Sequence, residues 1–343
     1  MQKMKLVVVG NGMAGMRTVE ELLKIAPDIY DITVFGDEPY PNYNRIMLSP
    51  VLANEQTIDD IILNSREWYA EHNITLHTNA RINKIDRKNR VVYAEDGTSA
   101  EYDRLLLATG SKPFMPSIRG KDLEGVLGYR DIKDTNDMIA AAKKYKHAVV
   151  VGGGLLGLEA ANGLSIQGMD VTVIHRNEWL LEKQLDKTAG FMLQKNLEAK
   201  GLKFHLSTNT ETIVGDENGR VKAVRFKEGF ELPADLLVLA VGIRPNFALA
   251  ESAGIHCDKG VVVNDTMQTF DPRVYAVGEC VAHRGISYGL VAPLFEMAKV
   301  CANHLANFGI GLYKGSVTST KLKVTGIDLF SAGDFTGDKE TEE

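Results

Sequence analysis

Cysteine is scarce in this chain: three in 343 residues, Cys257, Cys280 and Cys301, with no C-x-x-C or other close pair. That spacing points away from a disulfide framework and from a cysteine-held metal cluster, so no metal site is expected. The three thiols read as small buried hydrophobes. No apolar run approaches the ~20 residues of a membrane-spanning helix, so no membrane association is expected. A basic excess is missing too. Asp and Glu number 45 against 39 Lys and Arg, a net charge of −6. Nucleic acid is therefore not an expected partner, because phosphate binding needs a basic face. Met1 to Lys5 leads straight into an apolar stretch, which predicts no signal peptide and a cytoplasmic protein. What is present, 44% hydrophobic and 24% charged residues, is ordinary for a globular protein of two domains and part of a third.

The chain is organised around its first motif. Leu6 to Val9 read as a buried parallel strand, apolar at every position. Gly10, Gly12 and Gly15 follow as G-x-G-x-x-G, enclosing Met13 and Ala14. A helical pattern then runs through Met16, Val19, Leu22, Leu23 and Ala26 until Pro27 stops it. In such a motif the first glycine makes the tight turn, the second admits a pyrophosphate to the backbone, and the third lets helix and strand pack closely. The helix N-terminus offers unpaired N–H groups and a positive dipole end to the phosphates. A second strand, 31–35, ends at Gly36-Asp37-Glu38, and Asp37 lies 22 residues past Gly15. That distance suits a carboxylate gripping a ribose hydroxyl.

Further along, Pro39 to Pro50 is irregular and rich in Pro, Asn and Tyr. Its one cation, Arg45, reads either as a partner for a cofactor phosphate or as a surface arginine. Residues 58–63 read as a short strand or turn and 67–71 as a helix, with strands at 74–77 and 91–94 around the turn Asp96-Gly97. Another buried strand, 105–108, ends in Thr109-Gly110, and Pro113, Pro116 and Gly120 suggest a crossing to a new domain.

At Ala148 the pattern begins again. A second strand leads into a second G-x-G-x-x-G, Gly152, Gly154 and Gly157, 142 residues after the first, with Leu155 and Leu156 inside it. Two fingerprints predict two dinucleotides bound by two similar domains. The second strand of this unit, 170–174, ends in His175-Arg176. An acid there would grip the 2′-hydroxyl of NAD, whereas an arginine can pair with the 2′-phosphate of NADP. Arg176 therefore favours NADPH. A helix is predicted over 186–200, with strands at 203–206 and 220–226 and a buried strand at 236–240. Gly242-Ile-Arg-Pro245 marks the return crossing. A short strand near 274 closes on Gly278 and Glu279, a long helix runs from Pro293 to Asn307, and 320–330 alternates like a strand before the polar tail Thr336 to Glu343.

Taken together, the paired fingerprints, Ala108-Thr109-Gly110, Gly242-Ile-Arg-Pro245 and Tyr275-Ala-Val-Gly-Glu279 resemble the flavoprotein pyridine nucleotide-disulphide oxidoreductase superfamily. Within it, the chain is similar to the N-terminal flavin half of the large subunit of assimilatory NAD(P)H nitrite reductases. That closer likeness rests on Tyr43-Asn-Arg-Ile-Met-Leu-Ser49, Gln184-Leu-Asp186, Gly278-Glu-Cys-Val-Ala-His-Arg-Gly285, Tyr288 to Leu294 and Thr320 to Asp334. The resemblance implies an α/β fold of two Rossmann-like domains of the three-layer ββα type. The FAD domain would be discontinuous, 1–115 and 242–316, with an NAD(P)H domain over 116–241 and the start of an incomplete interface domain at 317–343. Carried over residue by residue, Gly10, Gly12, Met13, Ala14, Gly15, Asp37 and Glu38 would hold the adenosine and pyrophosphate of FAD. Arg45, Ala108 to Gly110, Gly242 and Gly278 would line the cofactor, with Glu279 toward the ribitol and Pro293 at a helix start facing the flavin. Gly152, Gly154, Leu155, Leu156, Gly157, His175 and Arg176 would hold the nicotinamide dinucleotide, with Glu159 as an acid near the nicotinamide.

Two departures from the superfamily stand out. Members that reduce disulfides carry reactive cysteines early in the flavin domain, and Tyr43 to Leu52 has none. Related ferredoxin reductases have a lysine just after Leu-Ser, where this chain has Pro50. The resemblance thus implies a diaphorase that takes a hydride from NAD(P)H and passes electrons, without a thiol relay, to a surface acceptor. That acceptor would be a redox protein or the iron–sulfur and sirohaem domains that resembling nitrite reductases carry C-terminal to this region. The chain reads as the front portion of such a protein, using NADH with tolerance of NADPH; a homodimer is compatible with it. Two other readings compete: a stand-alone rubredoxin or ferredoxin reductase or NAD(P)H oxidase, and a redox-sensing protein that binds dinucleotides but turns over slowly.

Overall fold

The computed structural model describes residues 3–324 and 326–333; the first two residues, Thr325 and the tail from Asp334 onward lie outside the described residues. The chain forms two compact units: Met1–Asn44, Ile62–Lys112 and Arg244–Thr318 make the first; Arg45–Ile61, Pro113–Ile243 and the chain from Ser319 make the second.

The first unit is built on a parallel sheet in the order Val274–Ala276, Arg104–Leu107, Met4–Val9, Tyr30–Phe35, Thr75–His77. Strands covered on both faces need apolar side chains throughout. Leu6, Val8, Val34, Leu105 and Leu106 are accordingly all buried. Helix Met13–Ile25 turns Met16, Val19 and Leu22 inward and packs against helix Val291–Leu305. Each fully buried Leu, Val or Met contributes about 1.5–3 kcal/mol through removal of apolar surface from water. An antiparallel sheet of Ile82–Asp86, Val91–Ala94 and Ser99–Glu101 completes the unit.

The second unit repeats the design. Its parallel sheet runs Lys203–His205, Asp170–Ile174, His147–Val151, Leu236–Leu239, Val126–Leu127. Helix Leu155–Ile166 packs on it, and a three-stranded antiparallel sheet of Thr210–Gly215, Val221–Phe226 and Glu231–Pro233 adds the further layer. Each unit is thus a three-layer ββα Rossmann-like fold.

Several local expectations need correction. Strands Ile82–Asp86 and Thr210–Gly215 are absent from the sequence reading. The stretch 320–330 is not one strand but a short antiparallel pair, Ser319–Lys321 with Phe330–Ala332. The irregular stretch before Pro50 closes into a 3-10 turn, Arg45–Met47, and one α turn, Leu48–Leu52. Residues 45–61, inside the range expected for the FAD domain, belong to the second unit, where Leu52 fills the space over Gly163. Among the described residues no helix is long and apolar enough to cross a membrane.

Candidate functional site

Each unit carries a glycine turn between its central strand and first helix, and the three glycines of each turn are there for different reasons. Gly10 has φ +114°, and a Cβ would stand 2.1 Å from the Ala108 carbonyl oxygen. A Cβ on Gly15 would meet Gly10 O at 2.7 Å and Ala108 Cβ at 2.8 Å. Both positions are closed to larger residues by the protein itself. Gly12 is not: its φ of −88° and ψ of 179° suit any residue, and nothing lies within 4 Å of a Cβ built there. The second turn repeats this. Gly152 (φ +125°) faces Ala240 O at 2.2 Å, Gly157 faces Gly152 O at 2.0 Å, and Gly154, at φ −85°, faces open space. The fold has no need of glycine at 12 or 154. A pyrophosphate approaching the backbone does, so both cradles fit a dinucleotide.

The helix starts point the same way. Among the described helices longer than eight residues, Ile132–Ala142 and Lys187–Ala199 are capped by the side chains of Asp131 and Asp186. Met13–Ile25, Leu155–Ile166 and Val291–Leu305 begin without a side-chain cap and without an acid in the first turn. Their first N–H groups are available to an anion. Pro293 lies in the first turn of the third of these helices.

Around the first turn, Asn11 acts as a bracket that the sequence reading missed. Its Oδ1 accepts from the Tyr69 hydroxyl at 2.6 Å, its carbonyl accepts from Asn42 Nδ2 at 3.0 Å, and its Nδ2 donates to Tyr40 O at 3.3 Å. A polar side chain between two loop glycines was the available signal. Burial pushes the Tyr69 hydroxyl well above its usual range. Asp37 is largely exposed, 4.0 Å from Arg81 Nε, and Glu38 accepts from the Tyr43 hydroxyl at 2.8 Å. On the opposite side of Gly10, Ala108 abuts it, Thr109 Oγ1 donates to Asn246 O at 2.5 Å, and Gly110 O accepts from Asn246 N. Gly278, at φ +90°, lies over Ala14, and Glu279 accepts from Ser111 Oγ at 2.8 Å. The structure therefore gathers Gly10 to Gly15, Ala108 to Gly110, Gly278 and Glu279 on one side of the first unit. Cys280 is buried beside them with its thiol donating to Val277 O, and burial raises its pKa; Cys301 is buried and Cys257 half-buried.

In the second unit, Arg45 Nη1 donates to Arg130 O at 3.1 Å. Leu156 is 37% exposed beside the second turn, and Gly242, at φ +119°, borders open space. Two residues sit differently from expectation. His175, expected against the coenzyme, is 6% exposed and turned beneath the glycine turn, its Nδ1 accepting the Gly153 N–H at 3.0 Å. Glu159, expected near the nicotinamide, is 7% exposed, and both carboxylate oxygens are engaged. One accepts from Ser49 Oγ at 2.5 Å, the other from Lys323 N at 3.0 Å. Burial outweighs these bonds and raises its pKa. The structure thus gives Glu159 a fastening role, tying the 45–52 and 319–324 segments to the helix that follows the turn. Arg176 is exposed at the strand end.

Comparison with known proteins agrees with this geometry. The family model described as "Pyridine nucleotide-disulphide oxidoreductase" matches residues 4–304. The chain is 55% identical over 340 residues to a nitrite reductase [NAD(P)H] of Bacillus subtilis (strain 168), covering 99% of this chain and 42% of that protein. It is 48% identical to the assimilatory nitrate reductase electron transfer subunit of the same organism, covering 99% and 44%. The chain therefore spans less than half the length of these curated relatives. Among solved structures, putidaredoxin reductase in covalent complex with putidaredoxin superposes with a TM-score of 0.88 at 27% identity, over 96% of this chain and 81% of that one.

Proposed function

Because the chain belongs to the pyridine nucleotide-disulphide oxidoreductase family and so uses FAD and a nicotinamide dinucleotide, we propose that it is the NAD(P)H:acceptor oxidoreductase module, a diaphorase, of a nitrite-reducing system. The observation that carries this reading is the pair of glycines, Gly12 and Gly154, that no protein atom requires. FAD bound there would supply the hydride-accepting and electron-releasing chemistry between the nicotinamide and an acceptor.

This chain's residues bind and orient. The first turn, with the uncapped start of Met13–Ile25, receives the FAD pyrophosphate, and Asp37 and Glu38 stand at the strand end that serves the ribose. Asn11, bracketed by Tyr69 and Asn42, keeps that turn from shifting. Glu279, fixed by Ser111, supplies a carboxylate toward the ribitol. The second turn and the start of Leu155–Ile166 receive the nicotinamide dinucleotide. Thr109 and Asn246, which bond each other's backbone, hold the loop at the end of Arg104–Leu107.

The acceptor is a redox protein or an iron–sulfur and sirohaem domain, supported by the two Bacillus subtilis relatives named for nitrite and nitrate reduction. The same reading places the module in the cytoplasm. Steady-state reduction of ferricyanide with NADH tests it, and a protein that binds both dinucleotides but turns over only slowly would instead be a redox sensor.

A further inference from the structure

Resting on the reading that Gly152 to Gly157 receive the nicotinamide dinucleotide, we infer that Glu182 is a specificity-determining residue that selects against the 2′-phosphorylated coenzyme from a position fixed by His175. An NAD-binding unit of this type ordinarily carries an acid at the end of its second strand. Here strand Asp170–Ile174 is followed by His175 and Arg176. The missing carboxylate arrives from seven residues further on. His175 Nδ1 accepts the Gly153 N–H at 3.0 Å, which leaves the ring proton on Nε2, and Nε2 donates to Glu182 Oε2 at 3.1 Å.

Two further contacts fasten the same stretch to the glycine turn. Leu181 N donates to Gly153 O at 3.0 Å. A Cβ on Gly153 would meet both Leu180 Cδ2 and His175 Cγ at 2.8 Å, so these side chains close against that glycine. Leu181 adopts φ +55°, a left-handed conformation rare for a non-glycine residue. Residues 180–182 therefore follow the turn rather than lying on it by chance. The Glu182 side chain remains 22% exposed, which puts its carboxylate at the rim of the turn and not in the core. The bond from His175 lowers its pKa, so it is ionised at neutral pH.

Arg176 and Glu182 thus act in opposition at one strand end. Arg176 offers a partner to a 2′-phosphate; Glu182 repels the phosphate and offers an acceptor to a free 2′-hydroxyl. A like charge beside a dianionic phosphate disfavours it on the order of five- to tenfold in a water-like dielectric at low salt, less as salt rises. The result is NADH preference with tolerance of NADPH.

The test uses the FAD-loaded 343-residue protein and Glu182→Gln, whose amide oxygen still accepts from His175 Nε2. Calorimetric Kd values for NADP+ and NAD+ are measured at low and high salt, alongside kcat/KM for NADPH and NADH with ferricyanide. The expected result is a five- to tenfold gain in the NADP+ to NAD+ affinity ratio at low salt, shrinking at high salt. Arg176→Gln should move the ratio the other way, and it gives a second arm should Glu182→Gln fold poorly. NAD+ binding with a ratio unmoved by Glu182→Gln overturns the inference alone. Binding of neither coenzyme by the wild type would overturn the functional reading beneath it.

Discussion

The glycines that the fold does not need give the sharpest prediction. Gly12→Val places a side chain where no protein atom lies within 4 Å, at φ −88° and ψ 179°. The folded protein should tolerate it. The change removes a glycine from the N-cap, which costs about 1 kcal/mol or less, and the extended backbone admits a β-branched residue without strain. Gly10→Ala is the contrasting case. There a Cβ at 2.1 Å from Ala108 O must displace backbone, and φ +114° is strained for any L residue. The prediction is a dissociation of two properties. Gly12→Val should purify folded, with the apo-protein melting within a few degrees of wild type, yet with little or no flavin by the ratio of flavin to protein absorbance. Gly10→Ala should lose stability and flavin together. Gly154→Val should keep its flavin and lose coenzyme binding by calorimetry. Full flavin content in Gly12→Val would refute the assignment of the first turn, however well the variant folded.

Two further outcomes follow from individual bonds. Glu159→Ala leaves the buried Ser49 Oγ and the part-buried Lys323 N without their acceptor; at about 1–3 kcal/mol for the buried orphan, the melting temperature should fall clearly and the Lys323 amide should exchange faster, whereas an unchanged melt would deny the fastening role. Asp265 is held at a pKa of about 2, below its ordinary 3.8, first by the hydrogen bond from Arg284 and then by that from His283. A depressed carboxyl stabilises the fold above its unfolded pKa and loses that contribution as pH falls through the folded value. Wild type should thus lose melting temperature between pH 4 and 2 by a component that Asp265→Asn lacks, and parallel profiles would contradict this.

Much of this architecture is legible in the sequence because its causes are local. The glycines at 10, 12 and 15 and at 152, 154 and 157 answer to contacts within one strand–turn–helix, and continuous apolar runs such as Leu6 to Val9 need no partner to be read as buried. Helix Lys187–Ala199 begins at its cap Asp186 and gives way to Gly201, close to the expected 186–200. Two of the strands that the sequence leaves unread share an identifiable cause. Ile82–Asp86 and Thr210–Gly215 each carry a register shift, between Ile82 and Lys84 and between Thr210 and Thr212, which breaks the alternation that marks a half-buried strand. The surprises within the candidate sites are long-range. Glu159 meets Ser49 across 110 residues and Lys323 across 164. Asn11 meets Tyr69 across 58. No periodicity carries such pairings. The position of His175 at the strand end is visible in the sequence, but whether its ring faces the coenzyme or the underside of the turn depends on Gly153 and Glu182, which only the folded chain brings together.

This chain should take electrons from NAD(P)H but not by itself reduce nitrite. The most direct test supplies the purified, FAD-loaded 343-residue protein with NADH and offers it ferricyanide in one vessel and nitrite in another. The account predicts rapid ferricyanide reduction and no ammonium from nitrite. Ammonium formation by this chain alone, or failure to reduce ferricyanide with both dinucleotides bound, would contradict it.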